Sequence, residues 1–237
     1  MANNYFRFKQ FIIKQDRCAQ KVGTDGVLLG AWVNISNCNN ALDIGSGTGL
    51  IALMLGQKSI KKIIGIEIDK QAYLQSIENI NNSILSSKIS IKNMSIQEYS
   101  DIADYKFDLI VSNPPFYQHH LKSKDKQKTI ARHAESLDFT DLVLSVVKLL
   151  NNDGKFCVII PKENEFDFLI ICKKNNLFLN KILNVKPTPT KQIKRVLLEL
   201  SFNKSEITED LLIIEEFGRH QYSEKYKNIT KDFYINL

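Results

Sequence analysis

The stretch LDIGSGTGL, residues 42–50, closes a short apolar run and opens a helical pattern. Its three glycines, Gly45, Gly47 and Gly49, allow a sharp turn and a close approach of backbone to a ligand, and Thr48 is placed to cap the helix that follows. The spacing departs from the dinucleotide fingerprint GxGxxG/A, because the residue three beyond Gly47 is Leu50, and no Gly-Lys-Ser/Thr follows to make a phosphate loop. Alone, such a stretch reads equally well as a tight turn. Its surroundings decide.

Working outward, NALDIG (40–45), KKIIGIEI (61–68), KISIKN (88–93), KFDLIVS (106–112) and GKFCVII (154–160) read as strands. Each is short, rich in Ile, Val, Leu or Phe, and bounded by turn residues or charge, the pattern of strands buried on both faces. Helical segments fall between them at 48–57, 70–82, 138–150 and 163–175. In the third of these, Phe139, Leu142, Val143, Val146, Leu149 and Leu150 recur at three- and four-residue steps and make one apolar stripe. The alternation predicts right-handed crossovers and an α/β fold with a mostly parallel, doubly wound sheet. Beyond it, VKPTPTKQIKRVLLELSF (185–202) predicts a loop with two prolines and then a strand at an edge of the sheet. Residues from 208 onward predict one more strand and an amphipathic helix. One domain is expected over 1–237, with a short N-terminal extension (1–36), a core (37–202) and a C-terminal strand and helix (203–237).

A formal charge of +6, from 32 basic and 26 acidic residues, favours polyanionic partners such as nucleic acid; a merely basic surface gives the same figure. The four cysteines, Cys18, Cys38, Cys157 and Cys172, lie far apart without the spacing of a zinc site or a disulfide framework. No apolar run reaches the ~20 residues that span a bilayer. The opening MANNYFRFKQF lacks the apolar core of a signal peptide, so a cytoplasmic protein with no metal and no membrane partner is expected.

Ligands on a parallel sheet bind beyond the carboxyl ends of its strands. The second strand puts Glu67 there, about 20 residues after the glycine loop, where a carboxylate can accept both hydroxyl hydrogens of a ribose; a solvated carboxylate is the plain alternative. Asp69 is read as the cap of the next helix. After the third strand, IKNMSIQEY (91–99) offers Ser95 to the amine of an adenine and Ile96 to its face. The fourth strand delivers SNPPFYQ (112–118). A residue before proline is pushed to extended backbone, so Asn113 stands out from the strand end, while Pro114 and Pro115 stiffen the loop and keep their carbonyl oxygens as acceptors. The exocyclic nitrogen of adenine is a poor nucleophile because its lone pair is drawn into the ring. The Asn113 side-chain oxygen and the Pro114 carbonyl can hold its two hydrogens and favour a pyramidal nitrogen, with Phe116 stacked on the base. A structural turn of two prolines is the alternative.

In combination, the glycine loop, Glu67 and Asn113-Pro114-Pro115-Phe116 resemble those of class I S-adenosylmethionine-dependent methyltransferases with the NPPF/Y signature of amino-group methylation. Over nearly its whole length the chain is similar to the bacterial tRNA (adenine-N6) methyltransferases that modify the adenine 3′ of the anticodon in a valine tRNA. The likeness lies in FRFKQFIIKQDRCAQKVGTDGVLLGAWV (6–33), ALDIGSGTGLIALMLGQ (41–57), SNPPFYQ and YSEKYKNITKDFYINL (222–237). It implies a Rossmann-like class I methyltransferase sheet, S-adenosyl-L-methionine as methyl donor and S-adenosyl-L-homocysteine as product. It implies an N-terminal segment covering the methionine end of the donor, with Lys21, Val22, Gly23 and Thr24, and a pocket that also takes Asp43, Gly45, Gly47, Gly49, Glu67, Ser95, Ile96 and Asn113. Asn113, Pro114, Pro115 and Phe116 would be catalytic. Ser95 stands where many such folds carry Asp.

HHLKSKDKQKTIARH (119–133) places Lys122, Lys124, Lys126, Lys128 and Arg132 beside that loop, where they suit tRNA phosphates; a solvated charged face is the alternative. Lys186, Lys191, Lys194 and Arg195 make a second basic stretch, and Lys14, Arg17 and Lys21 a third. His119, His120, His133 and His220 have no ligand-spaced partners. The resemblance thus implies an enzyme that methylates adenine N6 in tRNA, and a monomer is expected. Open alternatives are methylation of adenine N6 in rRNA or DNA, methylation of a glutamine N5 in a release factor, and a non-catalytic RNA-binding protein with this fold.

Overall fold

The computed structural model describes residues 3–18, 20–115 and 138–236. A hairpin of β1 (Tyr5–Arg7) and β2 (Ile12–Lys14) and helix α1 (Thr24–Trp32) lead into β3 (Asn40–Ile44), α2 (Leu50–Gln57), β4 (Lys62–Glu67), α3 (Lys70–Asn81), β5 (Ile89–Asn93), α4 (Ile96–Ile102) and β6 (Phe107–Ser112). Then come α5 (Phe139–Leu149), β7 (Leu150–Pro161), α6 (Glu165–Lys174), β8 (Phe178–Lys186), β9 (Arg195–Ser201), β10 (Thr208–Ile213), the hairpin β11 (Glu215–Gly218) and β12 (Gln221–Tyr222), and α7 (Glu224–Thr230). Eight strands form one sheet in the order β10-β8-β9-β7-β6-β3-β4-β5. Its pairings are parallel except at β9, which runs antiparallel to both β7 and β8.

Successive side chains of a strand point to opposite faces, and here both faces are covered. Ala41, Leu109, Val111, Cys157 and Ile159 pack under α1 and α2, while Leu42, Ile44, Ile110, Val158 and Ile160 pack under α4, α5 and α6. This double burial is why the strands read as unbroken apolar runs.

Two expectations are corrected. The strand over 195–201 is interior, with Val196, Leu197, Leu198 and Leu200 fully buried. Pro187 and Pro189 lie in the turn ahead of β9, so the ladder loses no donor and can pair on both sides. Its neighbour β8 escapes a sequence reading because Asn180, Lys181 and Asn184 interrupt the apolar run; the two asparagine amides donate to Ser201 Oγ and Glu209 Oε1, each at 2.7 Å. Secondly, α2 starts at Leu50 behind Gly49, which takes a left-handed φ of 81° and offers no side-chain cap. Asp43 at the end of β3, not Thr48, serves the first turn of α2, its Oδ2 accepting the Ala52 N–H at 3.1 Å.

The β1–β2 hairpin docks on the segment after α7. Phe8 forms a β-bridge with Tyr234 and stacks on its ring, and the Lys9 N–H donates to the Phe233 carbonyl at 2.8 Å. Among the described residues no helix is long and apolar enough to cross a membrane.

Asp43 is completely buried, and its Oδ1 has no hydrogen-bond partner. Desolvation pushes its carboxyl up from 3.8 to about 7; the Ala52 N–H opposes the rise and the negative Glu67 adds to it. Because the folded value lies above the unfolded one, this group's contribution to stability is complete below pH 3.8 and is lost as pH rises through about 7. Thermal midpoints of the donor-free protein measured across that window should fall with rising pH by the equivalent of roughly 4 kcal/mol. Asp43→Asn, which keeps an oxygen for Ala52, should flatten this part of the profile; an unchanged slope in the variant would assign it to other groups.

Candidate active site

Parallel register brings the ends of β5, β4, β3 and β6 to one edge of the sheet. There they border a cleft of about 410 Å³, a size that suits a small-molecule ligand. Its floor is the glycine loop. Gly45 and Gly47 hold left-handed φ values of 73° and 53°, and a Cβ on either would meet nothing within 4 Å. The Gly45 and Ser46 N–H groups donate to the Ile66 carbonyl at 2.9 and 3.0 Å, fastening the loop to β4. Ser46 Oγ is buried without a partner.

At the tip of β4, Glu67 Oε2 accepts the Gly47 N–H at 2.7 Å and Oε1 accepts the Asp69 N–H at 2.8 Å. Each carboxylate oxygen therefore keeps a lone pair for a further donor. Desolvation raises the Glu67 carboxyl above its ordinary range; the two N–H groups oppose the rise and the charge of Asp69 reinforces it. Asn93 clamps this tip, donating to the Glu67 and Ile68 carbonyls at 2.8 and 3.1 Å. Asp69 caps α3 as expected, its Oδ1 accepting the Ala72 N–H at 2.7 Å.

The tip of β5 leads into α4 through a capping box. Ser95 Oγ accepts the Glu98 N–H at 3.2 Å and donates to Glu98 Oε2 at 2.8 Å, and that oxygen also accepts the Ser95 N–H. The hydroxyl hydrogen of Ser95 is thus committed within the chain. At β6, buried Ser112 donates to the Ile44 carbonyl at 3.0 Å and ties the strand end to the start of the glycine loop. Asn113, Pro114 and Pro115 follow it into the wall of the cleft. No hydrogen bond to the Asn113 side chain is found among the described residues. Gly26 of α1 backs it closely, since a Cβ there would stand 3.9 Å from Asn113 Nδ2.

Of the residues singled out from the sequence, Gly45, Gly47, Glu67, Ser95, Ile96, Asn113, Pro114 and Pro115 line the cleft together. Lys21 and Thr24 are exposed and stand outside the lining, as do Gly49 and Asp43, the last buried near the end of β3 with its carboxylate on the first turn of α2. Phe116, Lys122, Lys124, Lys126, Lys128 and Arg132 lie outside the described residues. Sequence reasoning set Arg17 in a basic stretch and did not bring it, Cys18 or Gln20 to the cleft, which they close from the N-terminal side; it also missed Ile68 and Met94, which add apolar wall. An isoleucine left 63% exposed at a strand tip is the kind of signal that marks such a wall. Burial, then the charges of Glu67, Asp69 and Asp16, pushes the Cys18 thiol up to about 11, so it faces the cleft as a neutral thiol and not a nucleophile. Among the described residues no group of three or more His, Cys, Asp or Glu is placed to hold a metal.

Residues 22–170 match the Methyltransferase small domain family. A tRNA1(Val) (adenine(37)-N6)-methyltransferase from Trichodesmium erythraeum is 46% identical over 238 residues, covering 99% of each chain. One from Christiangramia forsetii is 44% identical over 241 residues, covering 100% of each. Among solved structures, a protein described as a predicted O-methyltransferase from Agrobacterium tumefaciens superposes with a TM-score of 0.67 over 88% of this chain and 96% of its own, at 16% identity, a likeness of fold alone. The glycine loop, the acidic strand tip and the Asn-Pro-Pro turn thus sit in a chain that belongs to the methyltransferase small domain family and, within it, to the bacterial tRNA1(Val) adenine-N6-methyltransferases.

Proposed function

We propose that the protein transfers a methyl group from S-adenosyl-L-methionine to N6 of adenine 37 in tRNA1(Val). The observation that carries this reading is the meeting, in one cleft, of the Glu67 carboxylate and glycine loop with Asn113 and Pro114. The residues present fit the donor: Gly45 and Gly47 leave room a Cβ would fill, Ser46 Oγ lacks a partner, and Glu67 has acceptor capacity for two hydroxyls. When bound, S-adenosyl-L-methionine supplies an electrophilic methyl on a sulfonium.

Glu67, held by the N–H groups of Gly47 and Asp69, would accept the donor's ribose hydroxyls, and Ile68, Met94 and Ile96 would offer apolar surface to its base. Asn113 Oδ1 and the Pro114 carbonyl take the two hydrogens of the target amine and leave its lone pair free to attack. Once alkylated, the nitrogen is acidic and releases its proton to solvent, so no strongly basic side chain is required. The stack expected of Phe116 lies outside the described residues. An anticodon-loop base is already unpaired, which lowers the cost of turning it into the cleft.

The antiparallel run of β9 between β7 and β8 brings Lys186, Lys191 and Lys194 to the same sheet edge as Asn113. Their ammonium groups make no ion pair among the described residues, whereas Lys14 and Arg17 are paired with Glu78 at 2.6 and 3.5 Å. The first group is therefore the better placed to meet phosphates. A tRNA substrate sets the reaction in the cytoplasm.

Incubation with methyl-labelled donor and, in parallel, tRNA, rRNA, DNA and release factor tests the reading. Label should appear as N6-methyladenosine in tRNA1(Val). Label in another substrate, or donor binding without any transfer, would overturn it, the latter in favour of a non-catalytic RNA-binding protein. Asn113→Ala should lower kcat by about 100-fold or more and leave donor Kd within tenfold of wild type. Glu67→Ala should raise donor Kd by about tenfold or more, the loss of two charge-assisted hydrogen bonds; unaltered titration calorimetry would refute the ribose role. Replacing Lys186, Lys191 and Lys194 together by Ala should raise the KM for tRNA and reduce the slope of log K against log salt by roughly 2, with donor KM unchanged.

A further inference from the structure

Helix α3 buries polar side chains where an apolar stripe is the usual arrangement: Gln75 and Ser76 are fully buried, and Asn79 is 1% exposed. Buried polar groups of this kind are retained with their hydrogen bonds made. The Asn79 amide makes three. Its Oδ1 accepts the Lys14 N–H at 2.8 Å, and its Nδ2 donates to the Lys14 carbonyl at 2.9 Å and to the Thr48 carbonyl at 2.9 Å. One side chain thus grips the N-terminal strap in both directions and spends its remaining hydrogen on the glycine loop. One turn earlier, Gln75 Oε1 accepts the Arg17 N–H at 3.2 Å and holds the same strap again.

None of Lys14, Thr48 and Asn79 lines the cleft. Each of the two gripped segments does so a few residues away: Arg17, Cys18 and Gln20 follow Lys14 to close the cleft, and Gly47 precedes Thr48 in its floor. The three bonds need one acceptor and two donors on a short planar arm, which among side chains of this size only asparagine supplies.

We infer that Asn79 is a positioning residue for the donor site, coupling the strap that roofs the cleft to the glycine loop that floors it. The inference rests on the reading of the cleft as the donor site. Roof and floor are some 30 residues apart in the chain, as Lys14 and Thr48 show, and among the described residues Asn79 alone hydrogen-bonds to both through its side chain, so their spacing across a bound ligand follows the clasp on α3. A merely structural role for Asn79 would lower stability without singling out the donor.

The test compares wild type, Asn79→Ala, Glu78→Gln and Glu67→Ala by circular dichroism, donor titration calorimetry, and kcat and KM for S-adenosyl-L-methionine and tRNA. Asn79→Ala should raise donor Kd and KM about tenfold, the value of roughly one buried hydrogen bond, with kcat at saturating donor within about threefold and tRNA KM unchanged. Glu78→Gln frees the Lys14 and Arg17 side chains but keeps the main-chain clasp, and should move donor KM less than about twofold. A folded Asn79→Ala variant whose donor Kd and KM match wild type overturns the inference, whatever happens to its melting temperature. If wild type fails to bind the donor, or Glu67→Ala binds it normally, the reading of the cleft fails instead. Should Asn79→Ala not fold, hydrogen exchange on the wild-type protein decides: donor should slow exchange at the Lys14 and Arg17 amides together with those of 45–49. Protection of the loop without the strap overturns the coupling.

Discussion

A 2.7 Å hydrogen bond from the Gly47 amide to the Glu67 carboxylate joins the two strand ends on which the cleft is built. It forms because β3 and β4 are parallel neighbours with Ile44 opposite Ile66, so both chains leave the sheet at the same height. A charged acceptor makes such a bond stronger than a neutral one, and burial would otherwise penalise the charge. The bond therefore serves both partners: the loop is held in its left-handed turns, and the carboxylate gains one of the N–H groups that offset its desolvation. Ser112, reaching from β6 to the Ile44 carbonyl, extends the same fixing to the strand that presents Asn113. The three chemical elements of the cleft are consequently registered through main-chain groups, with little reliance on long flexible side chains.

The parts of this arrangement that were legible in the sequence are those whose cause is local or periodic. Strands β3, β4, β6 and β7 announced themselves because both faces of the sheet are covered, leaving no polar alternation to confuse the pattern. Glu67 and Asn113 could be placed because a strand end followed by a turn fixes which edge a residue occupies. Illegible were the features decided by distant partners. Helix α4 has only seven residues, and its one sign, the Ser95-to-Glu98 capping box, admits a reading as a ligand contact. Thr48 yields its capping role to a carboxylate on the preceding strand, an exchange invisible until β3 lies against α2. The roof residues Arg17, Cys18 and Gln20 show no periodicity, and the clasp that holds their segment sits on α3, some 60 residues away by the separation of Arg17 and Gln75, 58.

The two halves of the sheet present different surfaces at the edge that bears the cleft. On one side, parallel strand tips and glycines make a mixed polar and apolar recess of a size that suits a small molecule. On the other, the reversal of β9 makes its connection from β8 a short turn at the same edge, and that turn carries lysines. Asn113 stands between them, at the end of β6. A small ligand and a polyanion can therefore approach one atom from different directions without competing for surface.

The docking of the N-terminal hairpin on the segment after α7 also bears on how the protein matures. Lys9 Nζ donates to the Lys231 carbonyl across 222 residues of chain, and Phe8 meets Tyr234 over a similar span. Contacts of such separation carry the largest loop-closure entropy and form late. During translation, the sheet strands and the α3 clasp emerge and can pair while the segment that fastens the hairpin is still unsynthesised. A nascent chain would thus own its cleft and clasp before its two ends are joined, and docking of the hairpin on the C-terminal segment would be the closing step of folding.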